Sequence, residues 1–486
     1  MSELITHFID GRQVPSLDGQ TFDSISPSTG ELLAQVSFGG AGDVDRAAKA
    51  AAAAFEAGTW RDTPPAARGG VLRRLAALIV ENAERIAQTE ARDAGKPIAQ
   101  ARDEALSAAS LIEYFSGLAE HPMGSVLPQP AGYFSHTRRE PYGVVGAISP
   151  WNYPFVLACW KTAPALVVGN SVVLKMAEQA PLSTSILAEL TLEAGIPPGV
   201  FNVVHGDGPT TGAAIAAHPG IPKITFTGST ETGKAILRAA ADHVKSVHLE
   251  LGGKTPNIVF EDADMERALA GSLFTSFANA GQICTSGSRL LVAESIADEF
   301  VNALVERARG IRVGDPLDEQ TQIGPLISAE QHTRVRGYID SGLQSGATAV
   351  LASPAPRPGH DLFVSPTVFT EVSPAMRIAR EEIFGPVLSV LTFQDEAQAV
   401  AIANDTMYGL AATAWTGSLD RALRLTDQLE AGIIWVNCAH YGPWNAPYEG
   451  HKLSGLGEDL GENVLATFTK LKVAHVQYGG APMAWA

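Results

Sequence analysis

The amino-acid sequence predicts an α/β protein built on two doubly wound parallel sheets, and three observations predict it. From Gly143 onward, short apolar runs alternate with segments of helical period, the texture of successive βαβ units. After Glu250 a second series of the same kind begins. The chain has 486 residues, more than one hydrophobic core usually serves, so the two series read as two domains with a ligand cleft between them.

Taken in order, residues 7–36 read as short strands and turns, with a hairpin-type Asp10-Gly11 pair and a second turn at Ser26–Gly30. Three helices follow: one capped by Asp43 and ended by Gly58, one from Thr63-Pro64 to the Gly95-Lys96-Pro97 break, and one from Ile98 to Leu118. Pro122 to Pro130 interrupts helix, and Tyr133 to Arg139 alternates as an exposed strand fit to pair with another chain. The first α/β series has strands at 143–149, 171–175, 200–204 and 223–227, with helices from Phe155, Leu182 and Thr230. The second has strands at 257–260, 290–292, 384–391 and 432–437, with helices from Asp264, Ile296 and Gln398. The Asp264 helix spaces Met265, Leu269, Leu273, Phe274 and Phe277 as one buried face.

A net charge of −17 argues against nucleic acid or an anionic membrane as the main partner. No apolar run is long enough to span a bilayer, and the Met1–Leu4 start has no signal-peptide pattern. Three cysteines without zinc-ligand spacing make neither a disulfide framework nor a metal site, so a reducing cytoplasm and no metal are expected.

Several short strings place chemistry-bearing groups at the ends of strands. Cys284 lies in the glycine-flanked bend Gly281–Arg289, where a substrate can approach the sulfur, although a lone cysteine is as readily a small buried hydrophobe. Gly228 and Ser229 stand at a strand-to-helix turn that suits a phosphate or an ordinary helix cap. Lys175 and Glu178 end the neighbouring strand, where they can meet a ribose diol or simply solvent. Two prolines stiffen the loop Pro150–Pro154, so Asn152 offers either an oriented amide donor or a turn residue. Glu250 precedes paired glycines at the join of the two series, the place for a general base whose pKa is raised by burial. Glu381–Pro386 adds another acid and an aromatic before a strand.

These six strings, in their order along the chain, resemble the NAD(P)-dependent aldehyde dehydrogenase superfamily over nearly the whole chain, in particular its non-acylating members of betaine aldehyde dehydrogenase-like or broad specificity. The resemblance implies an aldehyde dehydrogenase-like fold. Its parts would be an NAD-binding domain at 1–119 and 140–250, a catalytic domain at 251–452, and a small β oligomerisation arm at 120–139 and 453–486, in a homodimer or homotetramer. It implies NAD-dependent oxidation of an aldehyde to the carboxylic acid. Cys284 would attack the carbonyl, with Asn152 and the Cys284 N–H on the oxyanion, and Glu250 would activate the water that hydrolyses the resulting thioester. Lys161 and Asp459 would relay protons. Ser149, Trp151, Lys175, Glu178, Gly228, Ser229, Glu382 and Phe384 would bind the cofactor, and Tyr153, Trp160, Phe277, Ile283 and Trp444 would line the aldehyde tunnel. A carboxylate at Glu178 accepts from a 2′-hydroxyl and repels a 2′-phosphate, which favours NAD over NADP.

The sequence departs from the family near its C-terminal end. Where the family has Pro-Phe/Trp-Gly-Gly-x-Lys-x-Ser-Gly-x-Gly-Arg-Glu, this chain has Pro447-Tyr448-Glu449-Gly450, and it ends the string with Glu458-Asp459. Lys-Pro-Ser-Glu is replaced by Lys175-Met176-Ala177-Glu178. Aromatic tunnel walls suit apolar aldehydes and, through cation–π attraction, cationic ones. Two other readings differ in class. A CoA-acylating enzyme typically lacks the glutamate found here at 250, and a catalytically silent relative would have lost the nucleophile retained at 284. Ester hydrolysis by the same thiol is a possible side activity.

Overall fold

The two strand–helix series fold as two separate sheets. In the computed structural model, which describes residues 3–121, 124–352 and 362–479, the first sheet has eight strands in the order Gly455–Leu456, Ser246–Glu250, Lys223–Thr227, Val144–Ser149, Ser171–Met176, Phe201–Val203, His7–Ile9, Arg12–Val14. Its five central strands are parallel, and Val144–Ser149 lies between Ser171–Met176, the next strand in the chain, and Lys223–Thr227, the third after it. The chain therefore winds outward in both directions from Val144–Ser149, and its C-terminal end beside Lys223–Thr227 is a topological switch point. The loops carrying Asn152 and Ser229 leave the sheet side by side there.

Val144–Ser149 and Ser171–Met176 are buried at every position, as strands covered on both faces must be. The alanine-rich helix Ala41–Glu56 lies close on one face through Val44, Ala47, Ala48 and Ala51. Helix Pro154–Val167 fills the other, burying Phe155, Cys159 and Leu166. The second sheet has seven strands in the order Thr348–Ala352, Thr367–Thr370, Val387–Phe393, Arg289–Ala293, Pro256–Val259, Ala411–Trp415, Ile433–Val436, all parallel except the first. A third sheet pairs Tyr133–Pro141 antiparallel with Thr469–Gln477, with Val126–Leu127 on its other side.

Several elements differ from the sequence-based expectation. Asp43 sits in the first turn of its helix rather than at the cap; its carboxylate reaches back to the Gly40 N–H at 3.2 Å. The second expected helix is two, Pro65–Glu81 and Ala83–Asp93, broken at Asn82. The strand expected from Phe384 starts at Val387, because Phe384 takes a left-handed φ of 60° before Pro386. Gly455–Leu456 joins the edge of the first sheet and Val464–Leu465 its core, so of the segment expected as arm only Thr469–Gln477 extends along Tyr133–Pro141. The Pro482–Ala486 tail lies outside the described residues.

Candidate active site

Cys284 owes its position to a strained turn. Helix Met265–Phe277, capped by the Asp264 carboxylate on the Arg267 N–H, ends where Asn279, Ala280 and Gly281 all take left-handed backbone angles (φ 49°, 56° and 70°). Such angles cost a non-glycine residue about 1 kcal/mol or more, so the surroundings must hold them. The Asn279 amide donates to the Asn152 carbonyl at 2.9 Å, and the Gln282 carboxamide donates to the Asn279 carbonyl at 3.1 Å while accepting from the Ile327 N–H. Gly281 passes so close to the 382–385 segment that a Cβ would lie 2.2 Å from the Gly385 carbonyl. The result is a half-buried thiol on a fixed backbone.

Around the sulfur the charges are arranged in one network. Burial, with Glu250 and Glu382 nearby, pushes the Cys284 thiol up to about 12; the Tyr448 hydroxyl, 3.7 Å from Sγ, and the Thr285 N–H act in the opposite direction. Asn152, buried, donates its side-chain N–H to the Gln282 carbonyl at 3.0 Å, which fixes the amide beside the cysteine loop. Glu250 is the last residue of its strand, and its Oε1 has no hydrogen-bond partner. Burial and the Asp459 charge raise its pKa well above the carboxylate range, with Lys161 opposing. Behind it, His248 Nε2 is 3.8 Å from Glu250 and His248 Nδ1 is 3.5 Å from Asp459, which is ion-paired with the fully buried Lys161. His248 is held neutral by burial and by Lys161 and Lys223.

On one side of Cys284 lies a crevice at the switch point. The Ser229 side chain caps helix Thr230–Ala241 by accepting from the Thr232 N–H at 3.2 Å, leaving the helix N-terminus at the crevice wall. Lys175 and Glu178 pair at 2.9 Å, the lysine buried and the acid half-buried. Glu382 accepts from the Gly253 N–H at 3.1 Å and is raised to about 7 by burial; a Cβ at Gly252 would lie 2.3 Å from its carboxylate. Phe384 meets Trp151 edge to face at 5.3 Å. On the other side is an aromatic tunnel in which Trp160 meets Trp444 and Tyr448 edge to face, at 6.1 and 5.2 Å. Crevice and tunnel form one cavity of about 650 Å³ with Cys284, Asn152 and Glu250 in its wall.

The start of helix Pro154–Val167, which follows Asn152 and Tyr153, is braced by three buried charges. Glu90 accepts from the Phe155 N–H at 2.7 Å and Glu104 from the Val156 N–H at 3.1 Å. Lys96 bonds Glu104 and lies 4.0 Å over the Tyr153 ring.

The sequence model of the aldehyde dehydrogenase family matches residues 14–474. The chain belongs to the aldehyde dehydrogenase family. A betaine aldehyde dehydrogenase from Staphylococcus aureus, solved in complex with NAD+, is 38% identical, with 99% of this chain and 97% of that one covered at a TM-score of 0.97. A point mutant of the same enzyme, with NAD+ and a BME-modified cysteine, matches at 38% identity and TM-score 0.97 over 99% and 98%. A mutant aldehyde dehydrogenase from Bacillus cereus is 42% identical, with 98% and 97% covered and a TM-score of 0.96.

Most residues named from the sequence of this aldehyde dehydrogenase come together at the cavity. Asn152, Glu250, Cys284, Asp459, Trp151, Gly228, Ser229, Glu382, Phe384, Tyr153, Trp160, Ile283 and Trp444 all line it. Lys161 lies behind Asp459, and the Lys175–Glu178 pair lies at the end of the strand next to Val144–Ser149. Two residues are placed differently. The Ser149 hydroxyl donates to the Leu157 carbonyl and is turned inward, so the wall begins at Pro150. Phe277 is packed in the core of the second sheet, and the tunnel wall one helical turn earlier is the exposed Phe274. Phe277 is thus buried as its helical spacing predicts, while Phe274, read from the same spacing as buried, is the ring that faces the cavity. The loop His440–Trp444, expected from the resemblance to line the tunnel, does line the cavity, whereas His248 was not singled out and Tyr448 only as a departure from the family string. The signal for Tyr448 was present, as a hydroxyl where the family has Phe or Trp.

Proposed function

We propose that this protein is an NAD-dependent, hydrolytic aldehyde dehydrogenase in which Cys284 is the nucleophile, Asn152 an oxyanion donor and Glu250 the general base. The observation that carries the reading is the meeting of these three side chains at the point where the crevice and the aromatic tunnel join. The crevice fits a dinucleotide in its donor set: a helix N-terminus at Ser229 for the pyrophosphate, Lys175 and Glu178 for one ribose, and Glu382 for the other. Bound NAD supplies the hydride acceptor. Glu178 favours it over NADP, because its carboxylate can accept from a 2′-hydroxyl and repels a 2′-phosphate.

Cys284 adds to the aldehyde carbon, and the developing oxyanion takes the Asn152 amide in place of the Gln282 carbonyl environment. Once the thioester is formed, Glu250 removes a proton from the attacking water, and its raised pKa suits a base working near neutral pH. The proton then has a route inward, through His248 toward Asp459 and Lys161. The presence of this base favours hydrolysis over transfer to CoA.

The crevice half of the chain, 1–119 and 140–250, serves the cofactor, and 251–452 serves catalysis. The exposed Leu471 and Val473 on the arm strand support a homodimer or homotetramer, and free Cys159, Cys284 and Cys438 support a cytoplasmic setting. No helix of the described residues is long and apolar enough to cross a membrane. The exposed Asp103 at the cavity wall, with the indoles of Trp160 and Trp444, favours an aldehyde bearing a cationic group. NADH formation over a panel of aliphatic, aromatic, amino- and trimethylammonio-aldehydes, with NAD or NADP and with or without CoA, tests the whole reading. Turnover independent of CoA that vanishes in Cys284→Ala is expected; activity that survives the substitution overturns it.

A further inference from the structure

We propose that Tyr448 is a catalytic residue of this enzyme: its hydroxyl donates to the Cys284 sulfur and carries part of the negative charge of the thiolate, both as it attacks and as it leaves the thioester. The proposal rests on Cys284 being the nucleophile. Three observations carry it. The Tyr448 oxygen is 3.7 Å from Sγ, within hydrogen-bond reach of a sulfur atom. When the sulfur is ionised it can only accept, so the phenol is then the donor whatever the arrangement in the thiol form. The hydroxyl stays protonated, since burial and the nearby Cys284 and Glu250 hold the phenol well above its ordinary range.

The position is also built. Tyr448 begins the short strand Tyr448–Glu449, paired with Glu458–Asp459, and its ring is held edge to face by Trp160. The Thr285 hydroxyl faces the same phenol oxygen and lies 3.5 Å from His440 Nε2, so the chain Cys284, Tyr448, Thr285, His440 runs from the nucleophile to the tunnel wall. Without this donor the sulfur would face mostly groups that oppose its ionisation, Glu250 and Glu382. The remaining donor is the Thr285 N–H. The family motif places Phe or Trp here, neither of which has a hydroxyl, so the device belongs to this chain's own sequence.

Tyr448→Phe keeps the ring and removes only the donor. The test is the rate of Cys284 alkylation by iodoacetamide in the cofactor-free enzyme, followed from pH 6 to 10, with the modified residue identified by peptide mass. Loss of one hydrogen bond to a charged atom amounts to roughly one pKa unit, so alkylation of the variant should be about tenfold slower at each pH below the midpoint. Steady-state turnover should fall with it and recover as pH rises, while the KM for aldehyde stays within about twofold. A merely structural role would raise KM or lower the thermal midpoint and leave the alkylation profile unmoved. Superimposable alkylation profiles in the two proteins overturn the proposal. If Cys284 is not the nucleophile at all, Cys284→Ala will still make NADH, an outcome separate from any effect of Tyr448→Phe.

Discussion

Asp459 shows how one residue's charge sets another's chemistry. Its carboxylate raises Glu250 and is itself neutralised by Lys161. Asp459→Asn removes the repulsion and leaves the Lys161 ammonium unopposed, so the Glu250 pKa must fall. The acidic limb of the kcat profile should therefore move to lower pH, while the plateau drops roughly tenfold as the inward proton route is cut. An unchanged pH–rate profile would remove Asp459 from the relay. Cys284, Asn152 and Glu250 were legible in the sequence because each sits in a stiff, glycine- or proline-marked string. His248 was not, since a histidine in a strand gives no sign that it will lie between two buried acids. The helical spacing placed Phe277 on a buried face, where it lies, and it was the family resemblance that assigned it to the tunnel. Phe274, on the same expected face, lies in the cavity wall instead, since only the packing of the neighbouring sheet tells core from tunnel.

At the level of elements, the loop before Cys284 stores strain that the rest of the site must balance. Gly281→Ala adds a Cβ 2.2 Å from the Gly385 carbonyl at a φ of 70°. The expected cost is about 2 kcal/mol or more in urea unfolding, with kcat falling further than stability as the thiol is displaced. A variant with normal kcat would show that the turn does not position the sulfur. A second element tests pH dependence: His7 on the hairpin strand and His205 stack at 6.0 Å, held by burial at about 4 and about 3. Both lie below the ordinary 6.5, so the unfolded chain binds these protons more readily and stability must fall as pH drops from 6.5 toward 3. His205→Gln should flatten part of that fall in urea midpoints measured across the window. The parallel strands of the first series were legible as continuous apolar runs. Ser246–Glu250 was missed because its buried His248 and Glu250 look like surface residues, and Ala411–Trp415 because alanine carries little strand propensity. Helices Ala329–Gln344 and Leu419–Gln428 were missed where charge and polar residues dilute the apolar period.

For the whole molecule, the arm presents an open strand edge. Thr469–Gln477 is an edge strand of nine residues with Leu471 and Val473 exposed. The proposed homodimer or homotetramer is expected to assemble through this strand, so Leu471→Lys with Val473→Lys should give monomers in light scattering while the Cys284 site keeps its alkylation rate. An oligomer of unchanged mass would place the interface elsewhere.

The raised thiol beside Tyr448 has a consequence for how long such a molecule lasts. Peroxides oxidise thiolates, and a sulfur that burial pushes up to about 12 is almost wholly protonated at neutral pH. Oxidation of Cys284 to sulfenic and sulfinic acid is therefore expected to be slow except while turnover calls up the charge on its sulfur.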